Sequence, residues 1–531
     1  MNPSRLRRIG LAGAALIALC AGAYGAMPAR PGAPGTAGRR GAGDAGSHRL
    51  SRITSISIAG SQSVGTFGAT PYQRIWGTVS GIVAPGENVH GFGALPHDGD
   101  GNYVYQSEFE IIAPEKIGAN SVIVVESENR GNPVFLNSLN GSAESGPPSG
   151  SAHAAGVGTG FLFEHATSYA RVQWQTGIAA SVPMQAEGLG EVILRDFARL
   201  LAGRTQLDGK PSADLGVYRT MILGGISLSG FFIDTYIAEG FNADPVDGRA
   251  VFGGAIAVDG AGNWLALNQL AAASGIEEFP YVVPDGKPLA TADILKRPAS
   301  DPFYIDIANY TDFYRLRASV TDAISQNAKA RRYDWPSPHA AAPIDQSEES
   351  ARGSRCNGGV VVDMNPISYA PYLRAVTLEL ERELGVPSAR QVQPLPASVL
   401  FKLGPAPTST ASFNPLPGAA LQVPLTDSDD QPVGGVRFPD ADHPVGRPTP
   451  VSLPPVVTSS IQGTCGNRGE WRQFSAAELA ERYGSEANYV KLYAASLDKL
   501  IAAGYLLPGD REGMLKTAAA LYNRRPARMQ P

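Results

Sequence analysis

A strand–turn–helix pattern in residues 218–242 constrains the fold of this chain more than any other stretch. The apolar run 221–223 predicts a buried strand, and residues 231–238 predict a helix. Between them lies Ser227, with Gly225 and Ser229 two positions away on either side. A nucleophile held in a tight, strained strand-to-helix turn requires such small neighbours. The pattern therefore predicts a nucleophile elbow centred on Ser227.

Ser229 is the alternative centre of the same turn. It would place Phe231 at a position that requires a small residue, so Ser227 is the better candidate. An ordinary strand-to-helix turn, in which one serine caps the helix, is the non-catalytic interpretation of these residues.

The composition is that of a globular protein with a large core. Of the 531 residues 43% are apolar and 18% are charged, and the net charge is -5. We find no basic patch interleaved with aromatic residues, so nucleic acid is not an expected partner. The 61 glycines and 42 prolines predict that much of the chain is loop.

The N-terminal segment has the pattern of an export signal. Three arginines within the first eight residues precede an Ala- and Gly-rich apolar run, residues 9–26. This order predicts a signal peptide over residues 1–26, cleaved on export to the periplasm or beyond. A retained membrane anchor is the alternative. Residues 27–51, rich in Pro, Gly and Ala, predict a flexible spacer.

The cysteines give a prediction that depends on export. Cys20 would leave with the signal, so Cys356 and Cys465 would remain as a pair that can form a disulfide. Two free thiols are the alternative. We find no Cys/His cluster with zinc-ligand spacing, and we expect neither a metal ion nor an organic cofactor.

The order of predicted elements indicates an α/β protein in three regions after the spacer. Residues 52–115 alternate in hydrophobicity and predict an antiparallel β region. Strands and helices alternate through residues 116–345, which predicts a mostly parallel sheet flanked by helices. Within this region the Gly/Ser/Pro-rich residues 137–160 predict no regular structure. Residues 346–531 predict a Pro-rich and helical region packed on this core.

A glycine loop follows the apolar strand 122–125. The loop after an early strand of a hydrolase-type sheet supplies one backbone N–H to a developing oxyanion. We expect Arg130 or Gly131 to supply it here, and Leu228, which follows the candidate nucleophile, to supply a second N–H. A plain turn is the alternative for residues 128–131.

Two histidines follow Ser227 in the chain, His339 and His443. His339 comes after a predicted strand, whereas His443 lies in a Pro-rich stretch. A base must lie within hydrogen-bond reach of the nucleophile, and strand ends place it there. His339 is therefore the predicted general base.

Four aspartates compete for the acid position. Asp312 lies at the end of a predicted strand and is the best candidate, because the order nucleophile, acid, base then matches α/β hydrolases. Asp259, at the end of the preceding strand, is the outside candidate. Asp306 lies in mid-strand, and Asp301 lies at the start of its strand.

The ordered motifs resemble those of the alpha/beta hydrolase domain-containing family of bacterial, often exported, proteins. The resemblance covers about residues 70–520. It rests on these segments: Glu128-Asn-Arg-Gly-Asn132, Gln173-Trp-Gln175, Leu194-Arg-Asp-Phe197, Gly225-Ile-Ser-Leu-Ser-Gly230, Gly240-Phe-Asn-Ala-Asp244 with Gly248, Arg249, Val251 and Phe252, Thr311-Asp312, Tyr333 to His339, Asn365-Pro366 and Gly463-Thr-Cys-Gly-Asn467. The chain departs from the family at Gly253, where aspartate is usual, at Leu228, where glutamine is common, and in the prolines of Trp335-Pro-Ser-Pro-His339.

The resemblance implies an α/β-hydrolase fold with Ser227 as nucleophile, His339 as base and Asp312 as acid. It also implies that Trp174 and Gln175 belong to the substrate-binding site. The expected function is an exported serine hydrolase that cleaves small carboxylic esters through an acyl-serine. The alternatives are a catalytically silent hydrolase-fold protein that binds a ligand or an envelope partner, and a peptidase or acyltransferase of the same fold.

Overall fold

The computed structural model describes residues 50–524 except for short gaps. Those gaps are residues 119–120, 143–145, 147, 149–156, 176–178, 180, 184–185, 206, 208–214, 264, 266–288, 322–325, 340–353, 357–359, 408–421 and 451–466. The predicted signal and residues 27–49 of the predicted spacer lie outside the described residues. Ser51, the last residue assigned to the spacer, is already packed, because its buried Oγ accepts a hydrogen bond from the N–H of Ala84 at 2.9 Å.

Nine strands form one continuous sheet in the order β1-β2-β3-β5-β4-β6-β7-β8-β9. The strands are β1 (Arg52–Phe67), β2 (Thr70–Val83), β3 (Tyr103–Pro114), β4 (Val122–Glu126), β5 (Thr167–Val172), β6 (Thr220–Ile226), β7 (Gly254–Val258), β8 (Phe303–Asn309) and β9 (Ala330–Trp335). Strands β1, β2, β3 and β5 pair antiparallel in turn, and β5, β4, β6, β7, β8 and β9 are parallel. The predicted mostly parallel sheet with an antiparallel N-terminal extension is confirmed.

The parallel strands are apolar because both faces of the sheet are covered. Every residue of β4 and β7 is buried, as expected when helices lie on both faces. Alternation along β4 sends Ile123 and Val125 into one core and Val122 and Val124 into the other. The sheet therefore separates two hydrophobic cores.

Eleven α-helices lie in the described part of the chain. They are α1 (Val134–Asn140), α2 (Phe161–Glu164), α3 (Leu189–Leu201), α4 (Leu228–Ala238), α5 (Thr291–Ile294), α6 (Asp312–Arg315), α7 (Ala370–Glu383), α8 (Pro439–Asp442), α9 (Ala476–Tyr483), α10 (Glu486–Ala502) and α11 (Arg511–Tyr522). The prediction that residues 137–160 lack regular structure was wrong for residues 137–140, which lie in α1 because Phe135, Leu136 and Leu139 bury an apolar face there.

The C-terminal region packs on one face of the sheet. Helices α7, α9, α10 and α11 contribute to the same core as Trp335 at the end of β9. The rings of Tyr372 and Phe438 stack in parallel beside that tryptophan, with centroids 3.4 Å apart. The described residues of this region also form three two-stranded antiparallel ribbons: β10 (Ser354–Cys356) with β11 (Val360–Val362), β12 (Leu403–Pro405) with β13 (Gln422–Pro424), and β14 (Gly446–Thr449) with β15 (Glu470–Gln473).

The two edges of the large sheet differ. At one edge β1 carries three register shifts against β2, between Ile53 and Ser55, Ile58 and Gly60, and Ser63 and Gly65. At the other edge the chain around Val399 lies along β9. The N–H of Asp334 donates to the carbonyl of Val399, and the N–H of Val399 donates to the carbonyl of Arg332, both at 3.1 Å.

None of the described helices is both long and apolar enough to cross a membrane.

Candidate active site

Ser227 lies in a strained turn between β6 and α4. Its backbone has φ 63° and ψ -121°, a conformation that a non-glycine residue adopts only under constraint. The constraint comes from close packing around the turn. A Cβ atom on Gly225 would lie 2.6 Å from Ser127 Oγ, and one on Gly230 would lie 2.6 Å from the carbonyl oxygen of Val258. A larger side chain at either position would clash with these atoms, so both positions require glycine.

The two candidate serines are placed differently. Ser229 lies within α4, and only 1% of it is exposed. Ser227 is partly exposed and its Oγ lies 2.8 Å from Nε2 of His339. Of the two serines, Ser227 has the hydroxyl that faces a base.

His339 is held through its ring and through its backbone. Its Nδ1 lies 2.8 Å from Oδ1 of Asp312, and its backbone N–H donates to Oγ1 of Thr311 at 2.8 Å. A carboxylate on Nδ1 places the proton there and leaves Nε2 as an acceptor toward Ser227. The structure thus brings together the three residues predicted as nucleophile, base and acid.

The other candidate acids and the second histidine occupy different surroundings. Asp306 forms an ion pair with Arg332, and Asp301 accepts from the N–H of Arg297 at 2.8 Å. His443 lies 3.3 Å from the hydroxyl of Ser496, in the C-terminal region.

Asp259 adds a second carboxylate to the histidine. Its Oδ2 lies 3.5 Å from Nδ1 of His339, and its backbone has a φ of 59°. Its Oδ1 accepts from Nδ2 of Asn309 at 2.6 Å, while the backbone N–H of Asn309 donates to Oδ2 of Asp312 at 2.8 Å. One asparagine therefore holds both carboxylates, which the sequence presented as alternatives, against the same nitrogen.

The glycine loop after β4 lies next to the elbow. Asn129 donates from Nδ2 to the carbonyl of Ile226 at 2.9 Å, which ties this loop to the strand that carries Ser227. Arg130 and Gly131 have φ angles of 53° and 78°. The N–H of Arg130 donates to Oε1 of Gln175 at 2.9 Å, so of these two residues Gly131 is the better candidate for the oxyanion.

Leu228 is the first residue of α4. The first N–H groups of an α-helix have no acceptor within the helix, and the positive end of the helix dipole lies there. Its N–H therefore suits a developing negative charge beside Ser227.

This constellation occurs within a recognised domain. A family model described as an alpha/beta hydrolase domain matches residues 159–516, which is more than half of the chain. The chain belongs to this family. The match spans Ser227, Asp259, Asp312 and His339 and extends through the C-terminal region, so the α/β-hydrolase assignment made from the sequence motifs is confirmed.

Solved hydrolases of several kinds share partial likeness with this α/β hydrolase. A dienelactone hydrolase from Anabaena variabilis is 12% identical, with a TM-score of 0.25, over 44% of this chain and 82% of that one. A CE15 glucuronoyl esterase from Teredinibacter turnerae is 13% identical, with a TM-score of 0.31, over 55% and 78%. A carboxyl esterase 2 from Tuber melanosporum is 14% identical, with a TM-score of 0.26, over 46% and 73%. At these TM-scores the likenesses carry no argument about activity. Comparison with curated protein sequences found no match.

Trp174 and Gln175 of this hydrolase are buried beneath the glycine loop. They are 1% and 2% exposed. Trp174 donates from Nε1 to the carbonyl of Glu128 at 3.0 Å and packs on Phe232, with ring centroids 4.1 Å apart. The substrate-binding role implied by the family resemblance does not fit this burial. The two side chains support the loop instead, because each is hydrogen-bonded to its backbone.

A buried charge cluster underlies the same loop. Arg171 donates to Glu128 Oε2 at 3.3 Å, to the carbonyl of Gly131 at 3.1 Å and to Glu110 Oε2 at 2.8 Å. Burial raises the pKa of Glu128 to about 8, against the lowering effect of Arg171. Sequence reasoning missed this cluster, although charged residues inside otherwise apolar strands were a visible signal.

Among the described residues, one group has the spacing of metal ligands. It consists of Asp259, Asp312 and His339, whose ligand atoms lie within 4.8 Å of one another. The histidine nitrogen in this group is the one that lies at hydrogen-bond distance from Asp312. The expectation of metal-free chemistry stays a prediction that a chelator tests.

The predicted disulfide also stays a prediction. Cys356 ends strand β10, whereas Cys465 lies outside the described residues.

Proposed function

We propose that this α/β hydrolase is a serine carboxylic-ester hydrolase that works through an acyl-serine intermediate. The observation that carries the proposal is the connected set of contacts from Ser227 Oγ to His339 Nε2 and from His339 Nδ1 to Asp312 Oδ1, each 2.8 Å long. A serine is a weak nucleophile unless a base lies within reach and a third group orients that base. Both conditions are met at a strained, partly exposed serine.

The proposed reaction has two halves. Ser227 Oγ attacks the ester carbonyl carbon while His339 Nε2 takes the hydroxyl proton, and the same imidazolium then gives this proton to the departing alcohol. A water molecule next attacks the acyl-serine, with His339 again as base, and releases the acid and the free serine. Asp312 keeps the histidine oriented and stabilises its positive charge in both halves.

The oxyanion of each tetrahedral intermediate is assigned to two backbone donors, the N–H groups of Leu228 and Gly131. The support of the glycine loop by Gln175, Trp174 and Asn129 keeps the second donor in place before substrate arrives. Such preorganisation matters because loss of one oxyanion donor typically lowers kcat by about 10²–10³-fold.

A small-molecule ester is the proposed substrate class. Esters require less stabilisation of the leaving group than amides, and the preference is otherwise a fold-level analogy. The signal-like N-terminal pattern supports the further proposal that the enzyme is exported. A silent binding protein, a peptidase and an acyltransferase are the competing functions that the experiment separates.

The test is labelling of the purified protein with a fluorophosphonate probe, because only an activated serine reacts with it quickly. Wild type is compared with Ser227→Ala, His339→Ala and the matched control Ser229→Ala, which removes a buried hydroxyl from the first turn of α4. We expect labelling of wild type and Ser229→Ala and none of the other two. Chelator treatment should leave labelling unchanged.

Folded wild type that takes no label would favour the binding protein and overturn the proposal. If wild type takes the label, a fresh unlabelled sample is assayed with p-nitrophenyl esters of increasing acyl length and with aminoacyl p-nitroanilides. Faster turnover of the esters supports an esterase, and faster turnover of the anilides makes the protein a peptidase. Ester turnover that is replaced by acyl transfer when an alcohol is added indicates an acyltransferase.

A further inference from the structure

The glycine loop after β4 is a tight four-residue turn. The N–H of Asn132 donates to the carbonyl of Asn129, and the N–H of Asn129 donates to the carbonyl of Asn132, both at 3.0 Å. The two central residues, Arg130 and Gly131, both have positive φ angles. Positive φ at both central positions is the pattern of a type I′ turn. The N–H of Gly131, the proposed oxyanion donor, therefore belongs to the central peptide of this turn.

The central peptide is the part of such a turn that the turn itself constrains least. It takes part in neither of the two hydrogen bonds that close the turn. It can therefore rotate about the line that joins its two Cα atoms while both ends stay in place. Glycine at position 131 resists this rotation little, because it has no Cβ atom. The direction of the proposed donor therefore depends on a group outside the turn's own backbone.

Asn132 holds the central peptide through its carbonyl. Nδ2 of Asn132 donates to the carbonyl oxygen of Arg130 at 3.1 Å. That carbonyl and the N–H of Gly131 belong to one planar trans peptide, in which the two groups point in opposite directions. A hydrogen bond that fixes the direction of the carbonyl therefore fixes the direction of the N–H as well.

The amide of Asn132 is oriented by its other end. Its Oδ1 accepts from the N–H of Gly146 at 3.0 Å, so Nδ2 faces the turn, where it also lies 3.3 Å from the carbonyl of Asn129. Exchange of the amide nitrogen and oxygen would set an oxygen against two carbonyl oxygens and an NH₂ group against an N–H. The hydrogen-bond network therefore assigns the donor side of the amide to the turn.

Other side chains hold the two neighbouring peptides. The N–H of Arg130 donates to Gln175 at 2.9 Å, and the carbonyl of Gly131 accepts from Arg171 at 3.1 Å. These bonds fix the peptide before and the peptide after the central one. Asn132 differs from Gln175 and Arg171, because its bond is to the peptide that contains the proposed donor.

We propose that Asn132 is a positioning residue of the esterase reaction, whose side-chain amide directs the N–H of Gly131 toward the oxyanion. The inference rests on the proposed function, and it assigns to Asn132 an effect that acts through the backbone of another residue. An oxyanion forms only as the reaction proceeds. Loss of this effect should therefore lower kcat and leave KM nearly unchanged.

Hydrolysis of p-nitrophenyl butyrate by Asn132→Asp tests the proposal. This variant keeps an oxygen for the N–H of Gly146, but it loses the donor to Arg130, and its carboxylate repels that carbonyl. We expect kcat to fall by about 10²-fold, the size of effect typical for loss of one oxyanion donor, with KM within about twofold of wild type. Asn132→Ala, which removes both bonds, should show at least the same fall.

The pH dependence separates positioning from a general loss of structure. The carboxyl group of Asn132→Asp should ionise at about pH 4, and its protonated form has an O–H that can donate to the carbonyl of Arg130. The ratio of its kcat to that of wild type should therefore rise several-fold between pH 8 and pH 5. Ionisation of His339 affects both proteins alike and cancels in this ratio. Asn132→Ala should show no such rise.

The matched control is Asn488→Asp. It also removes a bond from Nδ2 to a main-chain carbonyl, that of Tyr483 at 2.9 Å, but in the C-terminal region. Its kcat should equal that of wild type at every pH.

The possible failures can be told apart. Wild type that hydrolyses no ester overturns the proposed function and this inference together. Active wild type with an unchanged kcat in Asn132→Asp overturns the positioning role alone, even if Asn132→Ala is slow, because the bond to Gly146 would then be the one that matters. A rise in KM in place of the fall in kcat, or an equal recovery of Asn132→Ala in acid, would also overturn it.

Discussion

The histidine of the candidate triad faces two carboxylates, and they are held differently. Asp312 begins a helix and lies 2.8 Å from Nδ1 of His339, whereas Asp259 lies in a strained turn at 3.5 Å. The shorter contact orients the ring. In the proposed reaction, the longer one adds negative charge that stabilises the imidazolium formed when Ser227 loses its proton.

Because of this difference, we expect the two acids to contribute unequally to the rate of fluorophosphonate labelling. Asp312→Asn should slow fluorophosphonate labelling by about 10²-fold, less than the ~10⁴ seen when a triad has a single acid, because Asp259 can take over Nδ1. Asp259→Asn should slow it by about tenfold. The double variant should reach about 10⁴-fold.

Labelling rates of the four proteins form a double-mutant cycle that measures the coupling of the two acids. If Asp312→Asn is labelled as slowly as the double variant, Asp259 does not substitute for Asp312. Near-ultraviolet circular dichroism of each variant checks that the core is intact.

At this scale the sequence predicted the candidate residues but not the contacts between them. Ser227, Asp312 and His339 could be predicted because the nucleophile turn has a local signature and the acid and base follow it in a fixed order. Asn309, which holds both carboxylates, has no such signature. Nor could the burial of Trp174 and Gln175 be predicted, since it depends on packing against the distant residue Phe232.

The elbow as an element depends on the close approach of α4 to the end of β7. Gly230→Ala would place a methyl group 2.6 Å from the carbonyl oxygen of Val258 and 2.9 Å from the backbone N of Gly260. Backbone atoms cannot move aside cheaply, so we expect a loss of about 1–3 kcal/mol in the free energy of unfolding. Labelling of Ser227 should slow as the helix shifts.

The control for this substitution is Gly253→Ala, one residue before β7. A methyl group there meets only Leu384 Cδ2 at 3.6 Å, an ordinary contact. Urea denaturation should give a change within about 0.5 kcal/mol for this variant. Equal stability of the two variants would mean that the space around Gly230 is not restrictive.

Most elements could be predicted because their patterns are local. The spacing of apolar residues predicts helices over residues 191–202, 371–384 and 488–502. The observed helices α3, α7 and α10 begin and end within two residues of these bounds. Helix α1 was missed because its seven residues lie in a stretch with many Gly, Ser and Pro, and tertiary burial of Phe135 and Leu139 decides its conformation. The order of the strands could not be predicted from local patterns either, since β5 inserts between β3 and β4.

Several buried acids make the stability of the whole molecule depend on pH. Burial raises the pKa of Glu381 to about 8, that of Glu128 to about 8 and that of Glu379 to about 9. In the unfolded chain these groups ionise near 4.3. Their stabilising effect is complete below that pH and is lost as the pH rises through their folded pKa values.

The free energy of unfolding should therefore fall between about pH 5 and pH 8, the range between the unfolded and the folded pKa values. Glu381→Gln should reduce the slope by about 1.4 kcal/mol per pH unit, because one such group is gone while the acceptor for Thr167 remains. Urea titrations at four pH values measure this slope. Glu383→Gln, on the exposed side of the same helix, should leave it unchanged. Identical slopes in wild type and Glu381→Gln would contradict the prediction.

The two edges of the large sheet have a consequence for how the protein behaves at high concentration. A long outer strand offers a row of free backbone groups to which another chain can add. Here β1 is interrupted by three bulges that break any regular register, and β9 is already occupied by the chain at Val399. Neither edge of the folded sheet offers a straight template, so folded copies have little opportunity to join edge to edge into fibrils.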